Sequence, residues 1–292
     1  MRGNAESHDL IAPRSLTTVL ELLAAEPGKW TPIAGGTELM VAFSAGRLTP
    51  QKLISLWGIR DLRFLEVRDS SVAIGAGTTF LDLRKNATIA SDFPLLARAA
   101  SWIGSVANQS RATIGGNLVN GSPAADSSPA LLAYDAEIEM ISLRGKRRVR
   151  YSEFHTGYKR NVLAADELLF AIHLPRRFAE HKQYLRKVGT RRAMAIAKVA
   201  LGATALLRNG MIREIRLGAA SLAPYPLRLN ATEAALLGRA PTADVAKVAH
   251  DALTAEMKPI DDIRSTAEYR RQVALNLLDE FLSELRREGS GA

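Results

Sequence analysis

The stretch TIGGNLVNGSPAADSSPALLAYDAEIEMIS, residues 113–142, changes character twice. It opens on a glycine pair among small polar residues, sets a single carboxylate, Asp126, among small residues and prolines, and turns apolar after Pro129. Paired glycines let a backbone turn tightly, gather successive N–H groups into one concavity and admit a ligand closely. The apolar half reads as a helix and a strand that hold such a loop rigid.

A second loop of this design lies upstream. Ala34-Gly35-Gly36-Thr37-Glu38 follows a predicted short strand, and a threonine again stands beside the glycine pair. One such pair is an ordinary turn. Two pairs, each with a threonine hydroxyl and a following polar residue, suit the two phosphates of a dinucleotide gripped from opposite sides. The conventional nucleotide folds are disfavoured: there is no G-x-x-x-x-G-K-[ST], and Phe80 stands where Gly75-Ala76-Gly77 would need its third Rossmann glycine. Asp126 taken alone is equally an N-cap candidate for the helix that SSPALLA begins.

Outward from these loops the pattern is mixed. Ser15 caps an amphipathic helix whose Leu16, Val19, Leu20 and Leu23 recur at helical spacing. RFLEV and SVAIG form a hairpin around Asp69-Ser70-Ser71, and FPLLARAASWIGS is a helix with Pro94 in its first turn. AEIEMIS and KRRVR are strands paired across Arg144-Gly145, and ELLFAIHLP is a strand stopped by Pro175. Between residues 176 and 182 the texture changes. Two β-type runs flank Asn209-Gly210, the strongest short hairpin signal in the chain. Helical stretches follow over 229–238, 241–256 and 264–287, the last with basic residues in its final turn and a glycine after it. The expected fold class is α+β, divided into domains 1–177 and 178–292.

Composition removes several functions. At 292 residues and 47% hydrophobic content the chain can bury a full core without staples. It has no cysteine, so it holds no thiolate zinc site and no thiolate iron–sulfur cluster. The net charge of +9 gathers in GKRRVR (145–150), PRR (175–177) and RKVGTRR (186–192), read as solvated surface. No recognition helix, zinc finger or aromatic-interleaved motif accompanies them, so nucleic acid is not an expected partner. The histidines lack metal-ligand spacing, and no G-x-S-x-G elbow occurs. Trp30, Trp57 and Trp102 are assigned to the core. No apolar run is long enough to span a membrane and no signal-like segment opens the chain, so a cytoplasmic location is expected.

AGGTELMV, together with the run from Thr113 to Met140, resembles the FAD-binding subunit of molybdenum hydroxylases, the xanthine dehydrogenase and carbon monoxide dehydrogenase group. FHTGYKRNVLAADELLFAIHLP and RKVGTRRAMAIAKVALGA are similar to later segments of that family, so the resemblance covers nearly the whole chain. It implies a PCMH-type FAD-binding domain of two small α+β subdomains. A C-terminal domain of CO-dehydrogenase-flavoprotein type, an antiparallel sheet with helices, would follow. It also implies that Ile33, Ala34, Gly35, Gly36, Thr37, Glu38 and Leu39 form the first FAD loop, and Thr113, Ile114, Gly115, Gly116 and Asn117 the second. Asp126 matches an acidic residue on the cofactor's hydroxyls, and Ile103 and Leu169 match apolar contacts. Lys187 matches a cation near the flavin ring, with Met194 and Ile196 in the adjacent loop, which lacks the tyrosine some members place there. Glu38 is expected to face the ribityl or flavin side, or a basic neighbour. The implied function is electron transfer: from a molybdopterin large subunit through a [2Fe–2S] small subunit to this chain, then to NAD or another acceptor. KVGTRR leans toward the xanthine dehydrogenase side. A self-contained flavin oxidoreductase of the same fold and a flavin-free anion-binding module are the alternatives.

Overall fold

The computed structural model describes residues 3–49 and 52–289. Three short parallel strands open the chain: β1 (Asp9–Ile11), β2 (Trp30–Ile33) and β3 (Lys52–Ser55), in the order β1-β3-β2. Helix α1 (Leu16–Ala25) crosses between the first two, with the Ser15 hydroxyl accepting the Thr18 amide. Its Val19, Leu20 and Leu23 are buried, as their spacing predicts. Helix α2 (Leu39–Ser44) follows the first glycine loop and buries no residue.

Strands β4 (Leu65–Val67) and β5 (Ser71–Gly75) form the expected hairpin. Three helices follow: α3 (Phe80–Lys85), α4 (Ala87–Asp92) and α5 (Pro94–Trp102). Thr79 and Asp82 close a reciprocal capping box on α3, and Pro94 occupies the first turn of α5, where its missing N–H costs nothing. Next come α6 (Val106–Gln109), α7 (Ile114–Asn120) and α8 (Ser128–Ala133). Strands β6 (Glu137–Ser142) and β7 (Gly145–Arg150) pair as predicted, and the short helix α9 (Tyr151–Phe154) leads into a ribbon of β8 (His155–Gly157) and β9 (Arg160–Asn161). Strand β10 (Leu168–Pro175) then returns to the middle of a five-stranded sheet ordered β4-β5-β10-β6-β7.

That central position explains the apolar run LLFAIHL. Leu169, Ile172 and Leu174 pack with Val72, Ile74, Ile138 and Met140 under the helices. Leu168 and Phe170 face the other way and pack with α1 and Ile54. A strand covered on both faces loses its polar alternation.

The C-terminal part is a four-stranded antiparallel sheet of β11 (Lys182–Val188), β12 (Val199–Arg208), β13 (Met211–Ala220) and β14 (Leu227–Arg228). Helices α10 (Asn230–Leu236), α11 (Ala243–Glu256) and α12 (Ala267–Gly289) complete it. The glycine expected after the last helix, Gly289, is instead the final residue of α12, which runs two residues past the expected end at 287. One face of the sheet builds a core with α11 and α12, where Tyr184 meets Phe281 at 5.4 Å between ring centroids. The other face receives α8. Gly202 and Gly218 stand opposite each other on β12 and β13, and a Cβ on either would lie 2.6 Å from the Pro129 carbonyl oxygen. The buried Thr204 hydroxyl donates to Ala133 O, and the Ser221 amide to Pro123 O. Two missing side chains thus let a helix sit directly on a sheet. The architecture is α+β, as expected. No helix among the described residues is long and apolar enough to cross a membrane.

Candidate cofactor site

A cavity of about 470 Å³ opens beside the two glycine loops. Ile33 to Leu39 line it, as do Thr113, Gly115, Gly116 and Asn117, with Ile103 and Leu169 adding apolar surface. Ile114, Asp126, Lys187 and Ile196 do not. Ile114 is fully buried in the core beneath α7, and Ile196 is half-exposed beside the similarly exposed Met194.

The two loops look alike in sequence and differ in structure. In the first, the amides of Gly35, Gly36, Thr37 and Glu38 donate to no acceptor among the described residues. Gly36 takes φ +76°, a conformation that favours glycine, whereas Gly35 packs so tightly that an added Cβ would collide with the Arg111 carbonyl. The first loop therefore abuts the chain just before Thr113, and the two loops meet in one cavity. The second pair is not a turn at all but the first turn of α7. Thr113 caps it by accepting the Gly116 amide, while the amides of Ile114, Gly115 and Asn117 donate to Thr78 O, Ala76 O and Thr113 O. Gly115 exists for packing: its Cβ would lie 2.6 Å from that of Ala76. At Gly116 a Cβ would meet only the Thr113 hydroxyl, at 3.0 Å. Of the two glycines on α7, Gly116 is the one whose missing side chain leaves room in the cavity rather than in the protein core.

Asp126 is not the cap of α8, whose N-cap position is Ser127 and carries no side-chain cap bond. Its Oδ2 accepts from Lys187 Nζ at 2.8 Å, and both side chains are about nine-tenths buried, 12% and 10% exposed. The other oxygen, Oδ1, is buried without a partner. Burial pushes the carboxyl up to about 6 against the pull of Lys187. The segment is tied to the second loop, since the Ser127 hydroxyl donates to Asn117 Oδ1 at 2.6 Å. Glu38 pairs with Lys159 at 3.2 Å, the basic neighbour expected of it.

The cavity also takes residues that the sequence did not mark. Val119 and Asn120 come from the end of α7, Asn161 from β9, and Leu163 to Ala165 with Glu167 from the lead into β10. No spacing or composition flags these, because their approach depends on how β10 enters the sheet. Trp30 and Trp102 pack partly buried against core clusters, as expected, and Trp30 also lines the cavity while donating to Glu26. Trp57 corrects the core assignment. Trp57 lies half-buried between the guanidinium groups of Arg63 and Arg111, at 3.9 and 3.8 Å from its ring centroid. No cluster of three His, Asp or Glu among the described residues could hold a metal.

A glycine-lined cavity within an α+β framework, bordered by unspent backbone donors, is the build of a protein that holds a phosphate-bearing cofactor. The chain belongs to the family described as the FAD binding domain in molybdopterin dehydrogenase, which residues 5–177 match, and residues 184–285 match the CO dehydrogenase flavoprotein C-terminal domain. It is 30% identical over 272 residues to the xanthine dehydrogenase FAD-binding subunit of Escherichia coli O157:H7, covering 92% of this chain and 93% of that protein. It is 28% identical to the carbon monoxide dehydrogenase medium chain of Hydrogenophaga pseudoflava, over 93% of this chain and 94% of the relative. A solved carbon monoxide dehydrogenase from the same organism, lacking the Mo-pyranopterin moiety of its molybdenum cofactor, superimposes with a TM-score of 0.89. The identity there is 29%, over 94% of this chain and 95% of that one. The chain is thus an oxidoreductase flavoprotein subunit with FAD as its cofactor.

The residues present fit that group on two observations. The first loop offers unspent amides, and Gly116 leaves space in the cavity.

Proposed function

We propose that this chain is the electron-transfer subunit of a molybdopterin-dependent hydroxylase or dehydrogenase. It takes electrons from a [2Fe–2S] subunit and delivers them to NAD or another acceptor. The carrying observation is the set of unspent amides from Gly35 to Glu38 bordering the same cavity as the open Gly116. When bound, FAD supplies the two-electron chemistry. The protein's residues do the holding. The first loop grips the diphosphate by backbone N–H groups, while Thr113 and Gly116 allow close approach from α7. Ile33, Leu39, Ile103 and Leu169 exclude water. Asp126 accepts a ribityl or ribose hydroxyl through Oδ1, and Lys187 supports negative charge at the ring edge while it is oriented by Asp126. Met194 and Ile196 form the loop by the ring. No side chain is required to act as acid or base.

The partner reading rests on the absence of cysteine, which leaves the chain unable to ligate iron–sulfur centres with thiolates, and on its likeness to medium chains of larger enzymes. We further assign 1–177 to FAD binding and 178–292 to a separate C-terminal domain. The purified chain should show a flavin absorption spectrum with one FAD per chain, and affinity capture from the native source should recover an iron–sulfur and a molybdopterin subunit. A colourless chain that takes up no added FAD would sink the cofactor assignment. A yellow chain captured alone would favour a self-contained flavin enzyme. Rapid mixing of the reduced complex with NAD tests the acceptor, and no reoxidation by NAD would direct the search to another one.

A further inference from the structure

Two of the basic clusters read from the sequence as solvated surface, GKRRVR and PRR, converge on one cleft remote in sequence from the glycine loops. It encloses about 580 Å³ between the strand ends of the five-stranded sheet and the C-terminal sheet. Six arginines line it: Arg68 after β4, Arg148 and Arg150 on β7, Arg177 after β10, Arg216 on β13 and Arg228 on β14. Among the described residues only two carboxylates, Asp135 and Glu137, line it with them.

The acceptors do not match the donors. Asp135 alone receives Arg177 Nη2 at 2.5 Å, Arg216 Nε at 2.7 Å and Arg228 Nη1 at 2.8 Å. That fan latches the C-terminal sheet to the end of α8, and Arg177 and Arg228 pair in addition with Glu214 and Glu233, which lie outside the cleft lining. The other three take no part in the latch. The Arg150 side chain makes no hydrogen bond or ion pair with any described residue, although Glu137 stands opposite it in the strand register. Arg148 spends Nε and Nη2 on Glu139, and Arg68 spends Nη2 on Glu66. Arg216 Nη2 also lacks an acceptor among the described residues. Each guanidinium carries five N–H donors in a planar fork suited to phosphate. Like charges gathered from three strands and two loops around one concavity repel each other unless an anion is brought in.

We propose that this cleft binds a small molecule through a di- or polyphosphate group, independently of FAD. Its volume suits a small molecule. Phosphate is the recognised chemistry because the cleft offers no well-exposed ring for a base to stack on: among the described residues its lining rings are Tyr151, 2% exposed, and His173, whose side chain is 12% exposed and held by Glu139.

The test is calorimetric titration of inorganic pyrophosphate into the FAD-loaded chain at about 0.15 M salt, where exposed charges are screened beyond about 8 Å. A nucleoside diphosphate serves as a second arm. Saturable binding of one pyrophosphate with the flavin retained is expected. Arg68→Ala with Arg150→Ala, neither of which contacts Asp135, should weaken it by roughly ten- to a hundredfold while FAD content stays unchanged. Tighter binding of the nucleoside diphosphate than of pyrophosphate would identify a nucleotide as the source, and equal or weaker binding the free polyphosphate. Absence of saturable binding, flavin displacement in step with binding, or full affinity in the double variant would overturn the proposal.

Discussion

Lys187 Nζ on β11 lies 2.8 Å from Asp126 Oδ2 in the loop before α8, joining residues 61 positions apart in a pair largely shielded from water. The lysine stabilises the carboxylate that burial disfavours. In Lys187→Met that support is gone, so the carboxyl of Asp126 should titrate above its present value of about 6. Carboxyl-carbon NMR of the labelled flavin-free chain reads this directly; an unchanged or lower value would mean the pair does not form. The sign for stability follows. The folded chain holds this proton more tightly than the unfolded one, whose ordinary value is 3.8, so the contribution is fully present below 3.8 and lost as pH rises through about 6.

His155 behaves in the opposite sense. Burial beneath α9 lowers its imidazole to about 4, and its Nδ1 has no partner. The unfolded chain takes up that proton near 6.5, so stability from this group is present above 6.5 and lost as pH falls through about 4. The loss should reach on the order of 3 kcal/mol. Denaturant midpoints between pH 7 and 4 should fall in the native chain and fall less in His155→Phe.

Glycine substitutions should separate binding from folding. Gly116→Val places a side chain where only the Thr113 hydroxyl is near, so FAD content should drop at least tenfold with the circular dichroism spectrum unchanged. Gly115→Val pushes into Ala76 and should lower the melting temperature whether or not FAD is present. Equal FAD retention in Gly116→Val and the native chain would remove α7 from the site.

Gly202→Ala and Gly218→Ala test the seat of α8. Each methyl would come within 2.6 Å of the Pro129 carbonyl oxygen, and overpacking of this kind costs about 1–3 kcal/mol. A lowered urea midpoint is expected for each. Because the two residues pair across strands and touch the same proline, the double variant should lose less than the sum of the two.

Much of the fold was legible. Asn209-Gly210 marked the β12–β13 hairpin because both residues take positive φ, +53° and +70°, which that turn chemistry supplies. Helix α1 was legible from its cap and apolar spacing, and β10 from its unbroken apolar run. The two glycine pairs were legible as site elements but not as different structures. Gly115 and Gly116 carry no sign that Thr78 O and Ala76 O will take up the α7 amides, since those acceptors come from a segment about 40 residues away. Trp57 was misread for a related reason: an aromatic residue in an apolar run suggests core, and only the fold brings Arg63 and Arg111 to its two faces.

By itself the sequence determined where the chain turns, which segments alternate or repeat at helical period, and that backbone approach matters at two glycine pairs. These are local properties, set by φ, capping and side-chain period. The tertiary structure decided which amides of those loops stay unspent, which oxygen of Asp126 faces Lys187, and which six arginines come together around one cleft. Each of these depends on a partner distant in sequence, and burial fixes its energy by removing the water that would otherwise satisfy either group alone.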